Sequence, residues 1–251
     1  NHALSDCDAM NSQPASAVAL VVVPYAAERS VQSDLLQVMR GVRKSLDAAG
    51  CALVGGHTCE GAELSVGLAV NGVVSGSKTM TKAGLSPGDV LILTKPIGTG
   101  CIFAADMRAQ ASYRTVKAAT DSMLVSNRPA SKILASFSDC VACTDVTGFG
   151  LLGHLAEMCR ASDGASITLA LDDVPFLPGA VELASKGLFS SLQPENVRAK
   201  RAVSNHAHFA DDPAYALLYD PQTAGGLLAS VPEAQADQVL AQLREAGYEA
   251  A

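Results

Sequence analysis

Apolar positions change their period several times along the chain, and each change predicts an element. From Ala15 to Pro24 the run is continuous and β-branched, the pattern of a strand buried on both faces. Val31, Leu35, Val38, Met39, Val42, Leu46 and Ala49 then recur at helical spacing, which predicts a helix with Ser30 as N-cap and Gly50 as its stop. A short strand at Cys51–Val54 and a longer one at Leu64–Val74 follow. The longer one alternates, with Val66, Leu68 and Val70 on one face and Gly67, Ala69 and Asn71 on the other. A short helix is expected around Asp6.

The stretch Lys82–Asp89, with Gly84, Pro87 and Gly88, reads as a boundary between units 1–81 and 82–251. Past it the pattern restarts. Val90–Thr94 reads as a strand, and Gly98–Ala111, Thr115–Asn127 and Pro129–Phe137 as helices, the last with Pro in its first turn. A brief strand at Val141–Thr144 precedes a helix from Gly150 to Arg160. Strands are expected at Ser166–Leu171 and Gly226–Val231, and an amphipathic helix, Pro232–Ala246, ends at Gly247. The class is α/β.

Composition narrows the function. With 251 residues, 49% of them hydrophobic, the chain can bury real cores, which excludes disorder. The longest uncharged apolar run, Ala15–Ala27, contains Pro24 and is too short to span a bilayer. A net charge of −7 disfavours binding to nucleic-acid backbone, which takes clustered Lys and Arg. A small anionic ligand is still accessible through backbone N–H groups and metal. Seven cysteines, an odd number without dense pairing, point to a reducing compartment, the cytoplasm. The chain opens at Asn1 with neither an initiator Met nor a signal-peptide pattern, so upstream sequence is expected to be missing.

Four glycine-containing turns stand at the ends of predicted strands: Leu53–Thr58, Leu93–Gly100, Thr144–Gly150 and Asp220–Gly226. Glycine lets backbone N–H groups approach a phosphate, and a following helix N-terminus adds a favourable dipole. A single such turn is ordinary chain reversal, but four in one chain favour an anion site. None is a P-loop or a dinucleotide fingerprint. Asp6 and Asp145 are the candidate Mg²⁺ ligands, because Mg²⁺ takes one or two carboxylates together with phosphate oxygens. Each also suits a helix first turn. Cys140 and Cys143 form a C-x-x-C without a second pair at zinc spacing and read as buried small hydrophobes, a redox pair staying open. Cys7 and Cys59 lie nearer the candidate site, and a thiolate nucleophile stays open there. His57, after a glycine pair, is a ligand-contact candidate; His154 reads first as a hydrogen-bonded structural residue.

These residues resemble those of selenophosphate synthetase, the selenide, water dikinase family. Asn1–Asp6, Leu53–Gly61, Leu93–Gly100, Thr144–His154 and Asp220–Leu228 follow that family's motif order across nearly the whole chain. The wording is similar to the branch in which a flavin-dependent dehydrogenase-like module precedes the synthetase. The resemblance implies a two-domain fold of the aminoimidazole ribonucleotide synthetase type. Its N-terminal strands would complete a sheet or barrel with a dimer partner. It further implies an ATP- and Mg²⁺-dependent phosphotransferase that makes selenophosphate from selenide and water, releasing AMP and orthophosphate.

By position, Asp6 matches a residue binding both metal and nucleotide, and Asp145 a second metal-binding Asp. Gly55, Gly56 and His57 match the turn that contacts ATP from the partner subunit. The family's catalytic Cys or selenocysteine, its nearby Lys and a further metal-binding Asp match nothing here and are expected upstream of Asn1, so that this chain alone would be inactive. Asp8-Ala9-Met10-Asn11 stands where the family runs Tyr-Ala-Met-Gly, adding a charge and removing a glycine near the nucleotide. Two alternatives remain: another ATP-dependent kinase or synthetase of the same superfamily, and a non-catalytic, dimeric nucleotide-binding fragment.

Overall fold

The computed structural model describes residues 1–74, 79–137 and 142–251. A 3-10 turn, His2–Leu4, leads into α1 (Ser5–Ala9), the short helix expected around Asp6. The apolar run becomes β1 (Gln13–Pro24), followed by α2 (Glu28–Ala49), β2 (Ala52–Gly61) and β3 (Ser65–Val73). β1 is the centre of a three-stranded sheet, parallel to β2 and antiparallel to β3. The first turn of α2 begins ahead of Ser30, which is not its cap: Ala27 is, and the Ser30 N–H already donates to the Ala27 carbonyl at 2.8 Å. Gly50 ends the helix in the left-handed conformation, φ 66°, as its position predicts.

β1 is buried on one face only, against expectation. Ala17, Ala19, Val21 and Val23 are buried, whereas Val18 is 39% and Leu20 59% exposed. The reason is that α2 covers a single side of the sheet, setting Val42, Leu46 and Ala49 against Ala17, Leu53, Leu68 and Val70. Leu68 and Val70 thus share the face that alternation assigns to them. β2 is longer than predicted and passes straight through Gly55, Gly56 and His57, so these residues form no turn. They pair with Val18, Ala19 and Leu20 after a local register shift. Gly56 is required there: its φ is +155°, and a Cβ would lie 2.1 Å from the Ala19 carbonyl oxygen.

The second sheet has the order β4-β6-β5, antiparallel throughout, from β4 (Asp89–Leu93), β5 (Cys143–Asp145) and β6 (Leu227–Pro232). Around it run α3 (Thr99–Asp106), α4 (Tyr113–Leu124), α5 (Arg128–Ser136) and α6 (Gly150–Ala161). The short helices α7 (Ala180–Ser185), α8 (Gln193–Asn196), α9 (His206–Phe209) and α10 (Pro213–Leu217) fill a region without clear periodicity, and α11 (Glu233–Glu245) closes the chain. β6 is the strand buried on both faces. Leu227, Ala229 and Val231 meet α5 and α11, while Leu228 meets the α6 side.

Ser166–Leu171 forms no strand. Its alternation instead lays Ile167 and Leu171 onto the α6 cluster, where among the described residues no strand runs alongside to pair with it. Cys140 and Val141 lie outside the described residues; Cys143 is buried in the core beside β6. No described helix is long and apolar enough to cross a membrane. The fold being α/β with two sheets, α1 packs against both β5 and α5 and so carries the N-terminal Asp6 toward the end of β5.

Candidate active site

Polar contacts fix α1 in that place. The Asn127 Nδ2 donates to Ser5 Oγ at 3.0 Å and to the Gly225 carbonyl at 2.8 Å, and Ser131 Oγ donates to the Asp8 carbonyl. The Ala224 N–H donates to His2 Nδ1 at 2.9 Å. Asp145, the last residue of β5, is 7% exposed. Asp6 and Asp145 come within electrostatic reach of each other: burial raises the Asp6 carboxyl above its usual range, and the charge on Asp145 raises it further, while His2 and Lys82 oppose both.

Three of the four glycine motifs meet behind Asp145. The Val146 N–H donates to the Gly226 carbonyl at 2.9 Å, and the Thr147 carbonyl accepts from Gly150 and Gln222 N–H groups at 3.1 and 3.0 Å. At Gly225 a Cβ would lie 2.0 Å from the Val146 carbonyl oxygen, so only glycine allows the two turns to touch. Gln222 Oε1 accepts from the Gly98 and Thr99 N–H groups at 2.8 and 3.1 Å. The start of α3 therefore already has its acceptor, and the Gly98–Gly100 turn is a packed junction rather than an open phosphate cradle. The motif glycines here serve backbone approach.

A cavity of about 520 Å³ opens beside Asp6, between the His2–Leu4 turn, α2 and β3, with His2, Gly41, Ser45 and Gly67 in its wall. Gly55, Gly56 and His57 take no part in its lining. They sit on edge strand β2, where His57 is exposed and in register with Leu20 on the uncovered face of the sheet. Within one chain the structure thus unites Asp6 with Asp145 and leaves the Gly55–His57 segment apart. Cys7 is buried and Cys59 exposed.

Among the described residues no three His, Cys, Asp or Glu side chains converge as a metal cluster. A pair of carboxylates with a roomy cavity beside it nevertheless fits Mg²⁺, which fills its remaining positions with water and phosphate oxygens. Sequence reasoning missed Lys82 and Glu157, joined at 2.7 Å next to the site, and the capping role of Gln222. Lys82 lies in a segment readable only as a linker; Gln222 could have been found from its place between two glycine turns.

The N-terminal domain model of the AIR synthase related proteins matches residues 1–74 and the C-terminal domain model matches residues 86–251. The chain is similar to the selenide, water dikinase of Pelobacter propionicus, 40% identical over 257 aligned residues that cover all of this chain and 71% of that protein. Among solved structures it resembles thiamine-monophosphate kinase from Stenotrophomonas maltophilia K279a, with a TM-score of 0.69 and 18% identity over 98% of this chain and 70% of that one. Hydrogenase maturation protein HypE in complex with ATP aligns with a TM-score of 0.71 and 18% identity over 97% of this chain and 64% of that one.

Proposed function

This chain belongs to the selenide, water dikinase family of AIR synthase related proteins, and we propose that it provides the metal- and nucleotide-binding core that converts ATP, selenide and water into selenophosphate, AMP and orthophosphate. The observation that carries the reading is the Asp6–Asp145 pair, brought together from the start and the middle of the chain, with Asp6 in the wall of a cavity and its carboxyl pushed up by burial and then by the Asp145 charge. Mg²⁺ would be held by Asp6 and Asp145, where it would offset charge on the phosphates. Asp6 would serve the nucleotide as well. Hydrogenase maturation protein HypE, of the same fold, has been solved in complex with ATP, which suits this use of the cavity.

Residues 1–81 form the dimerising and ATP-binding unit and 82–251 the second α/β unit. The uncovered face of the first sheet, with Val18 and Leu20, meets a second copy, which brings the Gly55–His57 segment of one chain to the nucleotide site of the other. The Cys or selenocysteine and Lys of the transfer chemistry belong to sequence ahead of Asn1, and the enzyme works in the cytoplasm, on its own or behind a dehydrogenase-like module.

Asp145→Asn in the full-length protein tests the core of this reading. With ATP, Mg²⁺ and selenide, AMP formation followed by phosphorus NMR is expected to fall at least about a hundredfold, since one of two charged ligands is lost, with an unchanged melting temperature. Normal turnover in the variant removes Asp145 from the site. ATP consumption that ignores selenide but responds to thiamine phosphate assigns the chain to another kinase of the superfamily.

A further inference from the structure

Between β5 and α6, residues 146–149 have no regular structure, yet they must hold Asp145 in place. A buried imidazole does part of this. His154, on α6, is 3% exposed, and its Nε2 accepts the Thr147 N–H at 3.1 Å. The opposite side of the same residue is also tied, since the Thr147 carbonyl accepts the Gln222 and Gly150 N–H groups. Thr147 is therefore gripped at both backbone polar atoms, two residues from the Asp145 carboxylate.

The acceptor role of Nε2 fixes the chemistry of the ring. A ring nitrogen that accepts carries no proton, so in the neutral imidazole the proton resides on Nδ1. Nδ1 is buried without a hydrogen-bond partner, and Glu157 Oε2 lies 3.6 Å away, beyond hydrogen-bond reach, so the carboxylate favours the N–H end of the ring there through its charge alone. Glu157 is in turn held by Lys82 Nζ at 2.7 Å. Burial lowers the His154 pKa, Asp145 and Glu157 raise it and Lys82 lowers it again; burial is the largest of these influences and favours the neutral ring. The same Lys82 also eases the charge on Asp6.

We propose that His154 is a positioning residue for Asp145: its Nε2 acceptor, in the tautomer selected by the Lys82-bound Glu157, holds the Thr147 amide and thereby keeps the Asp145 carboxylate turned toward Asp6. This rests on the reading of Asp6 and Asp145 as the cation-binding pair. A His that only filled space would be replaced equally well by any side chain of its size.

The experiment uses the whole chain with ¹⁵N-labelled histidine and two variants. His154→Gln sets an amide oxygen near the position of Nε2 and preserves an acceptor; His154→Leu keeps bulk without one. The wild-type spectrum is expected to show Nδ1 protonated and Nε2 bare at neutral pH. Exchange of the Thr147 amide is expected to quicken about tenfold in His154→Leu and to return close to wild type in His154→Gln. Mg²⁺-dependent ATP binding, measured by calorimetry, is expected to weaken about tenfold or more in the Leu variant and to recover in the Gln variant. A protonated Nε2, or equal behaviour of the two variants in exchange and binding, overturns the proposal. Should His154→Leu not fold, the wild-type tautomer and the Thr147 exchange rate in His154→Gln decide it. If the wild-type chain binds no Mg²⁺ with ATP, the cation-site reading fails, while the tautomer and exchange still decide whether the imidazole holds the loop.

Discussion

Asp220→Asn separates two opposing effects at the junction of the glycine motifs. Asp220 is fully buried beneath the start of α3. Its Oδ2 accepts from Gln222 Nε2 at 2.9 Å, and the Gly100 and Cys101 N–H groups also favour its charged form. Burial outweighs them and pushes the carboxyl from its ordinary 3.8 up to about 7. A shift of about three units at ~1.4 kcal/mol each means that ionising Asp220 inside the fold costs about 4 kcal/mol. The unfolded chain ionises near the ordinary value. Between about pH 4 and pH 7 the folded state therefore holds a proton that the unfolded state has released, and stability falls as pH rises through that window.

Asn removes this titration while keeping the size of the side chain and an acceptor for Gln222. It also turns an amide NH₂ toward the N–H groups of α3, at a cost of about 1–3 kcal/mol that does not vary with pH. Near pH 4 the variant is thus expected to be the less stable protein. Near pH 8 the wild type has given up about 4 kcal/mol that the variant retains, and the order reverses. Urea unfolding of both proteins in small pH steps measures the difference directly. A difference that stays flat from pH 4 to pH 8 refutes the buried, late-titrating carboxyl.

The glycine pair on β2 yields a contrast between neighbours. Gly56→Ala, whose Cβ would lie 2.1 Å from the Ala19 carbonyl oxygen, is expected to cost about 3 kcal/mol or more in thermal unfolding. Gly55→Ala, whose nearest contact is Val18 Cγ1 at 3.9 Å, is expected to stay within about 0.5 kcal/mol. Equal melting temperatures would discredit the β1–β2 register. Cys59 is exposed on the same strand, whereas burial pushes the Cys101 thiol up to about 12. A thiol reagent should therefore label Cys59 quickly and Cys101 only on unfolding. Raising the protein concentration should slow Cys59 labelling if two copies meet on this sheet, and a rate independent of concentration across a measured dimerisation would place the interface elsewhere.

Where one face of an element decides its structure, the sequence was readable. The spacing of Val31, Leu35, Val38, Val42 and Leu46 anticipated the inward face of α2, on which Leu46 is buried and the others half-buried, and the left-handed Gly50 its end. Gly226–Val231 is close to β6, because a strand covered on both faces needs only continuous apolar character. The same reasoning misread β1, whose second face is uncovered in the single chain, since an apolar run does not say what will lie on it. It misread Ser166–Leu171 because alternation describes a half-buried segment whether or not a strand lies beside it. The helices between 180 and 217 are one or two turns long, too short for a period to declare itself.

The site shows a sharper division. Asp6 and Asp145 stood out because a carboxylate in a glycine-rich or helix-opening setting carries its chemistry locally, and the fold does bring them together. The Gly98–Gly100 and Gly225 turns, expected to admit an anion, are packed junctions instead, and there is a physical reason that sequence does not tell the two apart. A glycine that admits a phosphate and one that admits another peptide look the same in sequence, as both only lack a Cβ. At Gly225 the neighbour is the Val146 carbonyl and at Gly56 the Ala19 carbonyl, each supplied by a segment distant in the chain. His154, read from its motif as a hydrogen-bonded structural residue, does accept the Thr147 N–H, whereas Lys82 and Glu157 carry no local signal, because their meaning is a sequence of contacts running from ammonium to carboxylate and on toward the imidazole. Only the imidazole-to-Thr147 link adjoins a carboxylate that the motif reveals. The glycines thus bring backbones into contact, and the buried polar side chains between them, Gln222 and His154, set how the Asp145 segment is held.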